Sequence, residues 1–234
     1  MSPAATAPPV SRVRGFFAAT IVKKAVMALT GFILFGFVVG HMLGNLQVFL
    51  GPERLNAYAA FLKSNLEILW GVRTILLVSV LAHIVTTIQL YQLKNRARPV
   101  AYAKKDNSHS TFSSRSMYIT GPMIAAFVIY HLLDLTAGAT RSQFSETDVY
   151  SNVVLGFQFW PASLAYVIAI GLLCLHLRHG IYSMFQSLGL AHPRYTPRIK
   201  AAATVISIVV FVGYVSIPAA VLAGFLLPDG PTPL

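Results

Sequence analysis

From Ala25 to Leu50 the chain runs 26 residues without a charged side chain. As an α-helix, at about 1.5 Å per residue, that length exceeds the roughly 30 Å hydrocarbon core of a bilayer. Comparable apolar runs recur at about 68–93, 116–137, 160–186 and 201–227. Inside a bilayer every backbone N–H and C=O must be satisfied within the protein, so such runs have to fold as helices. The composition agrees: 56% of residues are hydrophobic and 11% charged, against about 25% charged in a soluble domain. The expected fold is therefore an all-α membrane protein of five transmembrane helices. Residues 1–22 form an N-terminal arm, 23–228 the five-helix domain and 229–234 a short tail. The first run is too long for a signal peptide, so it is expected to remain in the membrane.

A net charge of +11 would suit nucleic acid, but the basic residues cluster between apolar runs and make no aromatic-basic reading surface. They read better as topology signals. With the N-terminus in the cytoplasm, Arg12, Arg14, Lys23 and Lys24 lie inside, as do Lys94, Arg96, Arg98, Lys104, Lys105 and Arg115. Arg178, Arg194, Arg198 and Lys200 bring that face to fourteen, against Arg54, Lys63, Arg73 and Arg141 on the other. The positive-inside rule thus places the N-terminus in the cytoplasm and the C-terminus outside. Cys174 is the single cysteine, so the chain holds neither a disulfide framework nor a Cys-based zinc or iron–sulfur site.

Ionisable residues within a membrane helix are costly and mark function by default. Each of the first four spans carries a histidine about two-thirds of the way along its own direction: His41, His83, His131 and His176. Spans one and three run outward and two and four inward, so His41 and His131 fall in the outer half, His83 and His176 in the inner half. The two levels are separated by about 10–15 Å. Two histidines at one depth on neighbouring helices suit a six-coordinate b-type haem, whose iron takes axial imidazoles. Two such pairs would make a path for electrons across the membrane. The plainer alternative is that each histidine makes an interhelical hydrogen bond. A zinc site fits less well, because no H-E-x-x-H spacing occurs. His179 lies on the face of His176 and is expected to bond a propionate, a quinone oxygen or a carbonyl, unless it is simply an interfacial residue. Gly36, Gly40 and Gly44 give the first helix a smooth face that a helix or flat ligand can approach. Beyond these features no internal repeat stands out.

These residues resemble the cytochrome b membrane subunit of succinate dehydrogenase and fumarate reductase, and within it the bacterial branch with one five-helix subunit and two haems. The resemblance spans about Lys23 to Leu227. Its most specific piece is His176-x-x-x-Gly180-Ile181, which selects His176 over His179 as a ligand. Thr30-Gly31 followed by His41-Met42, and His131-Leu132-Leu133-Asp134-Leu135-Thr136, are similar to the family's first and third helices. His83 matches by position. The resemblance implies a haem-binding bundle of the first four helices, with His83 and His176 holding a proximal, inner haem and His41 and His131 a distal, outer one. It further implies flavoprotein and iron–sulfur subunits docked on the cytoplasmic face, where the dicarboxylate chemistry takes place. Two haem b groups, a quinone (menaquinone rather than ubiquinone), lipid contact, a place in the bacterial inner membrane and a higher oligomer of the complex belong to the same expectation.

Arg178 and His179 are expected around the inner haem, Arg178 as a propionate partner. Quinone-site candidates are Glu67, Arg73 and Asp134 at the outer end and Tyr182 and Ser183 at the inner end. Asp134 shares a helix face with His131. Each of these is also readable as a helix-end residue reaching for the interface. Two rival functions remain: the cytochrome b anchor of a hydrogenase, formate dehydrogenase or nitrate reductase, and a haem-free transporter with histidines in its ion path. The chain lacks the repeated halves and broken helices that transporters often show.

Overall fold

A computed structural model of the chain describes residues 19–97, 111–141, 143–228 and 230–231. The basic positions Arg12, Arg14, Arg98, Lys104 and Lys105 lie outside them. Among the described residues seven helices follow in order: α1 (Thr20–Asn45), α2 (Pro52–Ser64), α3 (Leu66–Arg96), α4 (Phe112–Leu135), α5 (Val149–Gln158), α6 (Trp160–Ser187) and α7 (Thr196–Leu222). A 3₁₀ turn, Leu46–Leu50, continues α1. Five helical stretches are long and apolar enough to cross a membrane: α1 with its 3₁₀ extension, α3, α4, α6 and α7. The chain is a multi-pass membrane protein.

The helix ends follow from local chemistry. Thr111 caps α4, its hydroxyl accepting from the Ser114 N–H at 3.2 Å, as N-cap threonines do. Lys94 and Arg96 sit in the last turn of α3, where cations favour the helix dipole. Pro161 occupies the first turn of α6, which tolerates a missing N–H. Gly224, at φ 79°, follows the last turn of α7. The last helix therefore ends at Leu222 instead of continuing to Leu227. Leu226–Leu227 then pairs with Gly230–Pro231 as a two-residue antiparallel hairpin.

α6 is the hub of the bundle. It packs against α1, α4 and α7, while α3 packs against α1. Many side chains around the outside are large, apolar and exposed, among them Phe32, Leu77, Ile129 and Val209, as the lipid-facing surface of a membrane bundle requires. Small and polar residues line the helix contacts, with Thr30, Ser79, Thr86, Thr120 and Ser207 buried. Lipid tails are as apolar as leucine, so close backbone approach and interhelical hydrogen bonds drive this packing. At Gly44 an added β-carbon would meet the Tyr58 ring at 2.9 Å. Around Gly36 and Gly40 it would meet open space.

Two segments that lie between the five apolar runs are helical as well. The mixed-charge connection after Gly51-Pro52 is α2, and α5 precedes α6. Both were concealed by length, since neither reaches a membrane span and both carry polar residues. They pack against each other at one end of the bundle and share a core in which Val48, Tyr150 and Val154 are fully buried. The Asn56 amide joins them: its Oδ1 accepts from the Tyr150 N–H at 2.9 Å, and its Nδ2 donates to Asp148 Oδ1 at 3.0 Å. Asp148 also caps α5, accepting from the Ser151 N–H. The Tyr150 hydroxyl closes the unit by donating to the Leu227 carbonyl at 3.0 Å.

Hydrogen bonding from Ser151 and then Asn56 holds the Asp148 carboxyl below the usual carboxylate range. A group depressed in the folded state stabilises above its unfolded pKa, about 3.9, and loses that contribution as pH falls through the lower folded value. Asp148→Ala is expected to cost about 1 kcal/mol near neutral pH, the usual worth of an N-cap. The gap to wild type should narrow in detergent melting curves taken below about pH 4.

Candidate functional site

The four membrane histidines form two pairs. His41 on α1 lies beside His131 on α4, with ring centroids 5.8 Å apart and planes at 82°. His83 on α3 lies beside His176 on α6 at 6.3 Å and 58°. Each pair joins two helices that are not consecutive spans. The levels are well separated: ten residues of α6 divide Tyr166, which touches His131, from His176. That is about 15 Å along the axis.

What holds the rings is as informative as their spacing. His83 Nδ1 is 3.1 Å from the Thr30 hydroxyl, whose proton already goes to the Val26 carbonyl at 2.8 Å, with Met27 close behind. The hydroxyl therefore accepts from an Nδ1–H. His176 Nδ1 stands 3.3 Å from the Thr120 hydroxyl, which leans on the Met117 carbonyl at 3.5 Å. His131 Nδ1 stands 3.3 Å from the Tyr166 hydroxyl, which donates to Asp134 Oδ2 at 2.8 Å. At His83 and His131 this order puts the proton on Nδ1 and leaves the Nε2 lone pair free, while the Thr120 hydroxyl meets His176 at the same ring nitrogen. Metal-binding histidines are built this way, the second nitrogen donating to a fixed acceptor. His41 is positioned differently, stacked on Phe37 at 5.2 Å and 15° and lying 6.3 Å from the Tyr214 ring.

A metal ion between two imidazoles, with nitrogen–metal bonds of about 2.0–2.1 Å, places ring centroids about 6 Å apart. Both pairs meet that spacing. Among the described residues no cluster of three or more His, Cys, Asp or Glu could hold an ion by itself. Two imidazoles per level leave the remaining positions of a six-coordinate ion to a planar macrocycle. Ser113 Oγ is buried, 2% exposed, and has no hydrogen-bond partner among the described residues. It lies two turns before Thr120 on the same face of α4.

Asp134, one residue from the end of α4, is closed off from the interface. It is 2% exposed and takes a bidentate pair from Arg141, Nε to Oδ1 at 2.8 Å and Nη2 to Oδ2 at 2.7 Å. Thr140 and Tyr166 donate to it as well. Arg141 also donates to the Asn152 carbonyl, and it fits because α5 carries glycine at Gly156, where a β-carbon would collide with the guanidinium. Glu67 and Arg73 are exposed at the start of α3, with the Arg73 guanidinium 5.0 Å over the Trp70 ring. Arg178 is exposed and donates from Nε to the Thr204 hydroxyl on α7 at 3.1 Å. Tyr182 carries the Lys200 ammonium over its ring at 4.7 Å. His179 and Ser183 are half-buried on α6.

Sequence reasoning passed over Thr120 and Tyr166, and it took Thr30 only as part of the first-helix resemblance, without a partner. A signal for the threonines was present. Thr30-Gly31 precedes His41 by the same spacing as Thr120-Gly121 precedes His131, and Phe37 and Phe127 stand four residues before their histidines. Both phenylalanines stack on those rings, Phe127 at 5.9 Å and 29°. α1 and α4 thus share a repeated pattern, contrary to the expectation of none. Each threonine serves a histidine on the neighbouring helix, so the pattern has no meaning within one helix.

A family model described as succinate dehydrogenase/fumarate reductase transmembrane subunit matches residues 91–215, just over half of the chain. No match is found among curated proteins or among solved structures. The matched segment contains His131, His176 and their partners Thr120 and Tyr166.

Removing one member of a buried ion pair strands the other charge, at about 3–5 kcal/mol. Arg141→Ala is expected to lower stability by that amount, read as a large drop in melting temperature in detergent, while Arg73→Ala at the exposed start of α3 changes it little.

Proposed function

The chain belongs to the succinate dehydrogenase/fumarate reductase transmembrane-subunit family, and we propose that it is the dihaem cytochrome b anchor of such a complex. The supporting observation is the two histidine pairs at ligand spacing, three of the four rings held at Nδ1 by a hydroxyl from a neighbouring helix. His83 and His176 would hold the inner haem, His41 and His131 the outer. Haem, when bound, accepts and releases one electron at a time, giving two steps between the iron–sulfur subunit and the quinone pool.

The protein's own part is to orient and to insulate. Thr30 and Thr120 lock the inner rings against rotation, and Tyr166 locks His131. Phe37 and Phe127 cover the outer rings. Ser113 Oγ, buried without a partner at the end of α4 nearer the proposed cytoplasmic face, would be a donor for a propionate of the inner group. Arg178 shares that end of the bundle but is directed toward α7, which leaves it available to a partner's acidic surface. The N-terminus is proposed to lie in the cytoplasm of a bacterial inner membrane, with flavoprotein and iron–sulfur subunits docked there. On this orientation α2, α5 and the C-terminal hairpin cap the outer end.

Quinone, menaquinone by the earlier resemblance, is proposed to react at a membrane interface. Glu67 and Arg73 remain its outer candidates, and Tyr182 and Ser183 its inner ones. Asp134 fits the role less well, because both its oxygens are already engaged.

A reduced-minus-oxidised visible spectrum and a haem assay of the purified complex test the reading. About two b-type haems per chain are expected. His176→Ala should lose one of them and His179→Ala should keep both; b-type absorption absent from the wild-type complex would overturn the assignment.

A further inference from the structure

The two histidine pairs differ in what stands behind them. Behind His83 and His176 are threonine hydroxyls whose protons go to backbone carbonyls of their own helices. Those are neutral, local supports. Behind His131 is a phenol that donates to an ionised carboxylate, which two arms of Arg141 hold in place. The hydrogen bonds run in one sense, from His131 to Tyr166 to Asp134.

Such a chain polarises along its length. A phenol donating to a carboxylate carries more negative charge on its oxygen, and so pulls harder on the Nδ1–H that it accepts. The surroundings are dry: Tyr166 is 6% exposed, with the Phe127 and Phe157 rings edge-on at 5.0 and 4.9 Å. In a low-dielectric site both bonds gain strength. An imidazole whose Nδ1–H is drawn away is a more basic ligand through Nε2. A more basic ligand favours the ferric over the ferrous state of the iron it holds, and second-shell hydrogen bonding is one of the levers that set haem potential.

We propose that Tyr166, backed by the Asp134–Arg141 pair, is a positioning residue that holds the outer haem's reduction potential below the value His131 would give without it. This rests on the reading that the histidine pairs ligate haem. The relay makes the two levels electronically unequal, and it ties the outer level to the loop that supplies Arg141.

The test is a redox titration of the whole complex, followed in the visible haem bands and resolved into its two components. Tyr166→Phe removes one hydroxyl and leaves the Arg141 and Thr140 bonds to Asp134 intact, so it spares the ion pair. Both haems should be retained; one midpoint potential should rise while the other stays put. Thr120→Val should move the other component. Tyr166→Phe that leaves both potentials unchanged, moves both equally, or releases haem without moving the potential of what remains would overturn the proposal, since a purely structural tyrosine would do one of these. A wild-type complex without haem would instead remove the underlying reading. The two failures are therefore distinguishable.

Discussion

An imidazole in a membrane bundle has two nitrogens and no water to satisfy either, and the interior of this protein is arranged around that constraint. A stranded polar group in an apolar medium costs several kcal/mol. Hydroxyls on neighbouring helices meet one nitrogen of three rings. These bonds cross between α1 and α3 and between α4 and α6, so holding the rings also fixes how the helices sit against each other. Thr120 on α4 supports His176 on α6, while Tyr166 on α6 supports His131 on α4. The exchange pins this helix pair at both ends.

The outer end depends on a second polar constraint. Asp134 is a carboxylate at the end of a membrane helix, where solvation by lipid is impossible and solvation by water is blocked by α5. Arg141 offsets the charge, Thr140 and Tyr166 complete its hydrogen bonds, and Gly156 leaves room for the guanidinium. Capping helices α2 and α5 therefore do more than cover apolar surface. They exclude water from an ion pair that touches the support of a histidine, and through Asn56 and Asp148 they are clipped to each other.

Five spans and the depth matching of the histidines were legible because both follow from length and hydropathy, which a single sequence carries. Helices α2 and α5 were not, because short amphipathic segments at a membrane surface lack the long apolar run that identifies a span. Asp134 read as an interfacial quinone candidate since its spacing from His131 was visible, whereas its partner Arg141 lies across a turn whose path the sequence did not reveal. Tyr166 was hidden for the same reason. Its two hydrogen-bond partners, His131 and Asp134, are both on another helix, and hydropathy does not distinguish a tyrosine that closes a relay from one that fills a core.

The family match begins at Tyr91 and so leaves His41 and His83 outside it. Their pairing with His131 and His176 is seen in the structure, and an internal likeness accompanies it. α1 repeats the order of α4, threonine, phenylalanine and then histidine, at the same spacing. It also repeats the function of that order, since Thr30 supports a histidine on α3 as Thr120 supports one on α6. The unmatched half of the chain thus builds its side of each level by the rule seen in the matched half. The departure from that symmetry is at the outer level, where His131 leans on a tyrosine bound to a carboxylate and His41 leans on aromatic rings. This departure is a physical source for a difference between the two histidine levels in a bundle otherwise made of like halves.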